Sequence, residues 1–276
     1  MTGQTGAYDR RNFLKATAAA GTVAVTALAG CSGDGDGAAQ TTTADGTEDE
    51  PVEIVAGTAP GFPPFEMKDG EDLVGFDVDL LEAVVEETEY DLAGWEEFEF
   101  GSLSPALQND KIDVIAAAMT INEEREQTID FSDPYYDANQ AILVAEGSSF
   151  EPGSIADLEG AVLGAQKGTT GEDVVQDQLV ADGIVAADDY NSYDNYVFAV
   201  EDLVNGNIDA VVLDTPVAES FVAERAVSVA FTHETGEQYG FGVRDGDDEL
   251  RTALNEGLAA VEENGTYDDI VATWFK

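Results

Sequence analysis

The sequence predicts an α/β fold made of two similar units. From Val52 onward, strand-like apolar runs alternate with helix-like amphipathic runs, a pattern typical of largely parallel sheets flanked by helices. The two units share a short internal sequence repeat: NDKIDVI at 109–115 recurs as NGNIDAV at 205–211. Each copy leads a predicted strand, and the far ends of these strands carry opposite charges, Arg125 and Asp214. Such a pair of charges is suited to gripping a zwitterion from both sides.

Composition limits the size of the fold and the class of partner. With 276 residues, of which 43% are hydrophobic, the chain is long enough for two compact lobes or one large domain, with a core in most of its length. A net charge of −47 argues against nucleic acid and anionic membrane as partners, because both require a basic face. The same charge creates self-repulsion, which is screened at about 1 M salt, where the Debye length is about 3 Å. We therefore predict a halophile's protein that is stable at high salt.

Residues 1–31 carry an export signal and are predicted to lie outside the fold. RRNFLK at 10–15 precedes an Ala-rich run that is too short to span a membrane, and the pair resembles twin-arginine export signals. LAGC at 28–31 resembles a lipobox, so we expect cleavage to leave Cys31 as a lipid-modified N-terminus that anchors the protein to the outer face of the cell membrane. Cys31 is the only cysteine, so no intramolecular disulfide can form. Residues 32–51 are predicted to be a disordered acidic tether.

The helices and strands of the folded part follow from periodicity and from capping and stop signals. In the first unit we expect strands at 53–58, 98–100, 112–118 and 138–145, an extended segment at 73–76, and helices at 77–88 and 104–109. In the second unit we expect strands at 161–165, 208–213, 227–231 and 239–243, and helices at 155–158, 172–180, 193–204, 215–225, 248–263 and 267–275.

Arg125, one of the few basic residues, lies in a helical turn that follows a predicted strand. The chain has only 11 Lys and Arg against 58 Asp and Glu, and Arg125 follows Asn122 in this turn. The Asn122 side chain can accept an orphan backbone N–H, and Glu123 and Glu124 suit the positive end of a helix. Strand ends that open onto helices are where open α/β sheets place their ligands. The alternative interpretation is that Arg125 only pairs with a nearby carboxylate.

Six motifs, in order, connect the chain from Val52 onward to one family. They are GFDVDL at 75–80, PAL at 105–107, Thr120 with ER at 124–125, IDFS at 129–132, DAV at 209–211 with Asp214, and ENGTY at 263–267. With these motifs the chain resembles the amino-acid-binding members of the family-3 periplasmic solute-binding proteins of ABC importers.

The resemblance implies a fold and a division into lobes. The expected fold is the two-lobe periplasmic-binding-protein type II fold, an α/β architecture of mixed sheets flanked by helices with two hinge crossings. Lobe 1 would hold residues 52–137 and 241–276, and lobe 2 would hold residues 138–240. The hinge would pass near Asp137 and again near Tyr239.

The resemblance also implies how the two charges are used. Arg125 would clamp the ligand α-carboxylate, a task that suits the bidentate guanidinium fork better than a lysine. Asp214 would hold the α-ammonium group. Thr120 and the backbone around Ala118 would add hydrogen bonds to the ligand.

Four further residues are assigned by the same resemblance. Thr169 and Thr170 lie in the loop where lobe 2 would help to bind the carboxylate through backbone N–H groups at a helix start. Phe62 and Phe100 fall where family members place aromatic rings over and under the ligand side chain. For the two phenylalanines the alternative is simple core packing.

One departure from the family pattern concerns the ligand side chain. Basic- and glutamine-binding members carry an Asp in the first loop, where this chain has Ala59, and Gln166 precedes the Gly-Thr-Thr loop. The departure argues against a Lys or Arg ligand and leaves neutral polar, acidic or aromatic amino acids open. Lys167 could serve an acidic ligand, although the alternative is an exposed loop lysine.

The resemblance implies a binding protein that needs no cofactor or metal, acts as a monomer, and takes a free amino acid to the permease subunits of an ABC transporter. One alternative is an enzyme on the same scaffold, similar to cyclohexadienyl dehydratase, which would need a general acid or base. Glu66 is close to the first loop, but we expect it to point away because it follows Phe65 directly. A second alternative is a sensor module, which is normally joined to a spanning helix. His233, the only histidine, lacks the partners for a metal site or a triad.

Overall fold

A computed structural model describes residues 51–275. The predicted twin-arginine signal, Cys31 and nearly all of the predicted tether lie outside these residues. The described part contains two five-stranded sheets and one small two-stranded sheet. No helix within residues 51–275 has the length and apolar character needed to cross a membrane.

The strands and helices have the following bounds. The strands are β1 (Val52–Thr58), β2 (Met67–Asp69), β3 (Asp72–Val74), β4 (Tyr90–Glu97), β5 (Val114–Ile115), β6 (Ile129–Phe131), β7 (Tyr136–Ala145), β8 (Leu163–Gln166), β9 (Tyr190–Tyr193), β10 (Ala210–Asp214), β11 (Val227–Tyr239) and β12 (Gly242–Arg244). The helices are α1 (Phe76–Glu86), α2 (Leu103–Gln108), α3 (Thr170–Asp173), α4 (Tyr196–Val204), α5 (Thr215–Glu224), α6 (Asp248–Asn264) and α7 (Thr266–Trp274).

Both large sheets are mixed, although strand–helix alternation alone predicts largely parallel sheets. The first has the order β4-β1-β5-β12-β6, in which β1 is parallel to both neighbours and β12 is antiparallel to both of its own. The second has the order β11-β7-β10-β8-β9, in which β7 is antiparallel to β10 and β11, and β8 is parallel to β9 and β10. The antiparallel strands are those at which the chain passes between the sheets.

The two copies of the internal sequence repeat make equivalent hydrogen bonds in the structure. Asp113 exchanges two hydrogen bonds with the backbone of Val55, its carboxylate accepting from the Val55 N–H at 2.8 Å. Asp209, at the matching position of the second copy, makes the same pair of bonds with Val162, also with a carboxylate distance of 2.8 Å. Each aspartate directly precedes its own strand, β5 or β10, and ties the start of that strand to the backbone beside it, which explains why this residue type recurs.

Helices α1 and α6 pack against each other with the apolar faces that periodicity predicts. The buried positions on α1 include Val78, Leu81, Val84 and Val85, and those on α6 include Leu250, Leu254, Leu258 and Val261. The two helices approach closely at Gly257, where an added Cβ would lie 2.5 Å from the Val84 carbonyl oxygen. Glycine is therefore required at this contact because no larger side chain fits.

Several predicted elements are wrong in detail. The predicted strand at 98–100 is absent; a 3₁₀ turn begins at Phe100, and the strand of this region is β4, which alternates between half-buried and exposed residues at a sheet edge. The helix predicted at 193–204 begins at Tyr196, after the Asn195 side chain accepts the Phe198 N–H at 3.2 Å. The helix predicted at 172–180 is α3 followed by a π-helical segment.

The chain crosses twice between the two large sheets. It leaves the first sheet after β6 and enters β7 at Tyr136, and it returns after β11 ends at Tyr239. These positions agree with the predicted crossings near Asp137 and Tyr239. Tyr136 and Tyr239 are paired across β7 and β11, and their rings stack at 6.0 Å. The crossings are thus one hydrogen-bonded ribbon, in which β11 extends beyond the strand predicted at 227–231, while the strand predicted at 239–243 falls mainly on β12.

Candidate functional site

All eight residues assigned from the resemblance line one cavity, whose volume is about 10 Å³. They are Phe62, Phe100, Ala118, Thr120, Arg125, Thr169, Thr170 and Asp214. A cavity of this size has room for about one water molecule, so an amino acid would enter only after the two sides of the cavity move apart. Residues from both halves of the chain contribute, so the cavity lies between the two sheets.

Arg125 reaches across the cavity from the turn in which it was predicted. The Asn122 side chain accepts the Arg125 backbone N–H at 2.9 Å, which confirms the capping interaction. The guanidinium donates through Nη1 to the Thr120 carbonyl at 2.6 Å and through Nη2 to the Gly168 carbonyl at 3.0 Å. Within residues 51–275 no carboxylate oxygen lies within 4.0 Å of it, so Arg125 is not a simple ion-pair residue.

The electrostatic environment of Arg125 combines burial with nearby acids. Burial lowers the pKa of Arg125, while the negative charges of Asp173, Asp214 and Glu237 act in the opposite direction. An arginine side chain stays protonated under such conditions. The site therefore holds a fixed cation whose charge is not neutralised by direct contact.

Asp214 is the carboxyl group on the other side of the cavity. It ends β10, is 3% exposed, and its Oδ1 accepts the Tyr239 hydroxyl at 2.7 Å. Burial, together with the charge of Glu237, raises the pKa of Asp214 to about 8. An ammonium group placed against this carboxyl would favour its ionised form.

Thr169 and Thr170 form the start of α3. The Thr169 hydroxyl oxygen accepts the Glu172 N–H at 3.4 Å and its O–H donates to the Gln166 carbonyl at 2.7 Å. The Thr170 hydroxyl donates to Thr120 Oγ1 at 3.2 Å, a contact that joins the two sides of the cavity. The Thr169 N–H itself donates to the Gln166 carbonyl at 3.4 Å, so this donor of the predicted cluster is already used.

The backbone at Ala118 is only partly free to bind a ligand. Its N–H donates to Asp77 Oδ2 at 2.6 Å, so this donor is already used. Ala118 has φ 44°, a left-handed conformation that is uncommon outside glycine. The bond from Asp77 compensates for this conformation and positions the residues that lead to Thr120.

The two phenylalanines line the cavity and are also packed. Phe62 lies 5.7 Å from the Tyr196 ring, measured between centroids. The Phe100 ring lies under Arg125, with the guanidinium carbon 5.3 Å from its centroid, a cation–π geometry. Phe100 therefore supports the cation of the site, a contact that sequence reasoning did not anticipate.

Two buried acidic residues lie near the site: Glu66, which was expected to point away from it, and Glu237, which the sequence did not single out. Glu66 is fully buried but does not line the cavity, and neither of its carboxyl oxygens has a hydrogen-bond partner within residues 51–275. Burial and the charges of Asp77 and Asp214 raise its pKa well above the usual range. Glu237, buried in β11, accepts the Thr120 hydroxyl at 2.9 Å. In a chain with 58 acidic residues, no local pattern distinguishes Glu237 from an acid on a solvated surface.

Residues considered for other roles lie outside the cavity lining. Ala59 is buried, Gln166 is buried with Oε1 unpartnered within the described chain, and Lys167 is exposed. His233 Nε2 is 3.0 Å from Gln178 Oε1. Among the described residues, no three His, Cys, Asp or Glu side chains are placed to hold a metal ion.

A two-sheet α/β fold with two chain crossings, and a cavity between the sheets that presents a cation and a carboxyl, is the architecture of an extracytoplasmic solute-binding protein. Residues 54–276 match the family described as "Bacterial extracellular solute-binding proteins, family 3". The chain belongs to this family.

Named relatives agree over most of the chain. A "Probable histidine-binding protein" of Neisseria gonorrhoeae is 34% identical over 270 residues, which cover 96% of each chain. The "L-arginine-binding protein" of Pseudomonas aeruginosa is 35% identical over 241 residues, covering 82% of this chain and 88% of the relative. Both are named as binding proteins, not as enzymes.

Solved structures with this fold include binding proteins and a relative of an enzyme. An ancestral arginine-binding protein bound to arginine has a TM-score of 0.76 and 38% identity, covering 82% of this chain and all of the other. An ancestral amino acid-binding protein described as a precursor of cyclohexadienyl dehydratase has a TM-score of 0.74 and 33% identity, covering 81% and 96%.

Proposed function

We propose that this protein binds a polar amino acid outside the cytoplasm and delivers it to an ABC permease. The observation that carries the proposal is the pairing of Arg125 and Asp214 across one small cavity, in a chain of this family. A free amino acid has one carboxylate and one ammonium group at a fixed separation. The cavity offers one partner for each.

The geometry supports a definite assignment of contacts. The Arg125 guanidinium can turn its fork to the ligand carboxylate, since Nη1 and Nη2 now donate to neutral carbonyl oxygens, which are weaker partners than a carboxylate. The Thr170 backbone N–H would be a further donor to the same oxygens, since the Thr169 N–H already donates to the Gln166 carbonyl at 3.4 Å. Asp214 takes the ammonium group. Because these groups come from both sides of the cavity, the ligand would draw the two lobes, 52–137 with 241–276 and 138–240, together about the crossings.

Histidine is the first candidate for the ligand. The named relatives bind histidine or arginine, whereas Ala59 removes the carboxyl that would meet a cationic side chain. Histidine satisfies both observations, because an imidazole with an ordinary pKa of about 6.5 is largely neutral at neutral pH. Arginine would have to rely on the buried acids Glu66, Asp77 and Glu237 to compensate its guanidinium.

A screen of the twenty L-amino acids tests the function. In molar KCl we expect at least one to raise the unfolding temperature and to give a calorimetric binding curve. Arg125→Ala and Asp214→Ala should each weaken binding by about 3–5 kcal/mol, because one ligand charge is then buried without a partner. Arg251→Ala, which removes a cation outside the cavity, is the matched control. Unchanged affinity in either site variant would refute the assignment, and the absence of any amino-acid ligand would refute the function.

Catalysis on the bound molecule is the second candidate, favoured by the similarity to a precursor of cyclohexadienyl dehydratase. Glu66, whose pKa is raised by burial, is the carboxyl to consider as a general acid, but it does not line the cavity. We therefore propose a binding protein without turnover. Conversion of a bound amino acid or hydroxy acid, followed by NMR over hours, would favour the enzyme.

We further propose twin-arginine export and a lipid anchor on Cys31. The support is the order RRNFLK then LAGC at the start of the chain. Cys31→Ala should move the protein from the membrane fraction to the medium. Retention of that variant in the membrane fraction would contradict the anchor.

A further inference from the structure

Glu237 is a buried carboxylate that the proposed function has not yet used. It is 6% exposed and lies on β11, one of the two strands that cross between the sheets. Its two oxygens accept three hydrogen bonds, from Thr120 Oγ1 at 2.9 Å, Gln140 Nε2 at 2.9 Å and Thr235 Oγ1 at 2.6 Å. No cation lies within 4.0 Å of it in the described chain. Three donors satisfy and stabilise an ionised carboxylate without an ion pair.

The bond to Thr120 determines what that hydroxyl can do inside the cavity. An ionised carboxylate only accepts hydrogen bonds, and a threonine hydroxyl has a single proton to donate. Since Thr120 donates this proton to Glu237, only the lone pairs of Oγ1 remain for the cavity. The Thr170 hydroxyl already donates to one of them at 3.2 Å.

We propose that Glu237 is a positioning residue that fixes the Thr120 hydroxyl as an acceptor, so that it receives a hydrogen bond from the ammonium group of the ligand, beside Asp214. This inference rests on the proposed function and deepens it. The inference predicts that the site selects ligands with a protonated amine next to their carboxylate. A Thr120 hydroxyl that could rotate and donate its proton would also tolerate ligand groups that only accept hydrogen bonds.

A competing explanation is that Glu237 acts through its charge alone. Its negative charge acts on both Arg125 and Asp214. A charge effect on the ligand ammonium would not need Thr120, whereas the positioning role acts only through it. The two explanations are therefore separable by removing Thr120 and Glu237 singly and together.

The experiment compares four full-length proteins by calorimetry with L-histidine, L-arginine and L-glutamine as probes, at one fixed salt concentration. They are the wild type, Glu237→Met, Thr120→Val and the double variant. Glu237→Met keeps the volume but removes the acceptor, and we expect it to weaken binding about tenfold to hundredfold, the range for a hydrogen bond to a charged group. In the Thr120→Val background the same change should have an effect of about twofold or less.

Controls separate positioning from folding. Glu234→Met removes an exposed acid from the same strand and should leave affinity unchanged. Thr120→Ser keeps the hydroxyl and should restore the sensitivity to Glu237→Met. An equal loss from Glu237→Met in both Thr120 backgrounds would overturn the positioning role in favour of charge. A folded Glu237→Met protein with wild-type affinity would show that Glu237 has no role in ligand binding.

A second measurement avoids the risk that Glu237→Met fails to fold. Wild type and Thr120→Val are titrated with L-histidine and with its α-hydroxy acid analogue, imidazolelactic acid. If Thr120 accepts from the ammonium group, the preference for histidine over the analogue should fall in Thr120→Val. An unchanged preference would mean that Thr120 serves the carboxylate, and the inference would be wrong. A wild type that binds no amino acid at all refutes the proposed function itself, which is a distinguishable outcome.

Discussion

Asp214 must be ionised to hold an ammonium group, yet its surroundings favour the protonated form. Its pKa is raised to about 8 by burial first and by the charge of Glu237 second, while Arg125 and the Tyr239 hydroxyl lower it. Below this pKa the carboxyl carries a proton before the ligand binds. The ligand ammonium then takes the place of that proton, so binding should release it to the solvent.

This exchange predicts how affinity depends on pH. Between about pH 6 and pH 8 the affinity should rise by up to about tenfold per pH unit, because fewer sites have to lose a proton, and it should level off above the pKa. Calorimetry in buffers with different heats of ionisation measures both the affinity and the proton release. An affinity that is constant over this range would contradict a protonated Asp214.

At the scale of single residues, the sequence was informative where a residue type was scarce or belonged to a motif. Arg125 is one of 11 basic residues, and its position after Asn122 could be predicted together with its cap. The burial of Glu66 and Glu237 could not be predicted, because it depends on strands distant in sequence. The same limit applies to Ala118, whose positive φ is fixed by a bond to Asp77, 41 positions away.

At the scale of elements, helix packing sets the most specific demand on one residue. An added Cβ at Gly257 would lie 2.5 Å from the Val84 carbonyl oxygen and 2.9 Å from the Val84 side chain. Backbone cannot move aside as a flexible side chain can, so the two helices would have to separate.

We therefore expect Gly257→Ala to lower the free energy of unfolding by about 1–3 kcal/mol, although alanine is the better helix former. Gly94→Ala is the matched control, because nothing lies within 4 Å of its added Cβ, and it should change stability by less than about 0.5 kcal/mol. Chemical denaturation in high salt measures both. A stabilised Gly257→Ala protein would show that α1 and α6 are not in contact as described.

Elements were predicted well where burial is one-sided and poorly at edges. The apolar faces of α1 and α6 follow a clear helical period, and both are buried as expected. Strand β4 was missed because it lies at a sheet edge and contains acidic and small residues in place of a continuous apolar run. Strand β9 was not predicted, and the helix predicted from Tyr193 begins at Tyr196, because Asn195 is its N-cap.

At the scale of the whole molecule, the dominant feature is the excess of acidic over basic residues. The sequence carries 58 acidic and 11 basic residues, and the described part has few ion pairs, such as those of Arg244 with Asp113 and Asp247. Most of the negative charge must therefore be balanced by cations from the solvent. The architecture itself could be predicted, because the six ordered motifs extend over both sheets. The direction in which the crossing strands pair could not be predicted.

The unfolding temperature should rise steeply with KCl. From about 0.1 M to about 1 M salt the Debye length falls from about 10 Å to about 3 Å, which removes most of the repulsion between exposed carboxylates. Thermal unfolding in a KCl series measures the effect, and a sucrose series without added salt is the control for non-ionic stabilisation. An unfolding temperature that is independent of KCl would contradict the predicted halophilic character.

The pairing of β7 with β11 has a mechanical consequence. The two crossings are bonded to each other from Val227 with Ala145 to Tyr239 with Tyr136. Two separate linkers could swing and twist independently, but a paired ribbon resists twisting of one strand against the other. Closure of the proposed lobes would thus proceed about essentially one axis, by bending where the ribbon joins the first sheet. Glu237 lies next to the irregularity in that pairing. The same stretch of β11 would therefore take part in the bending and hold the residue that orients Thr120.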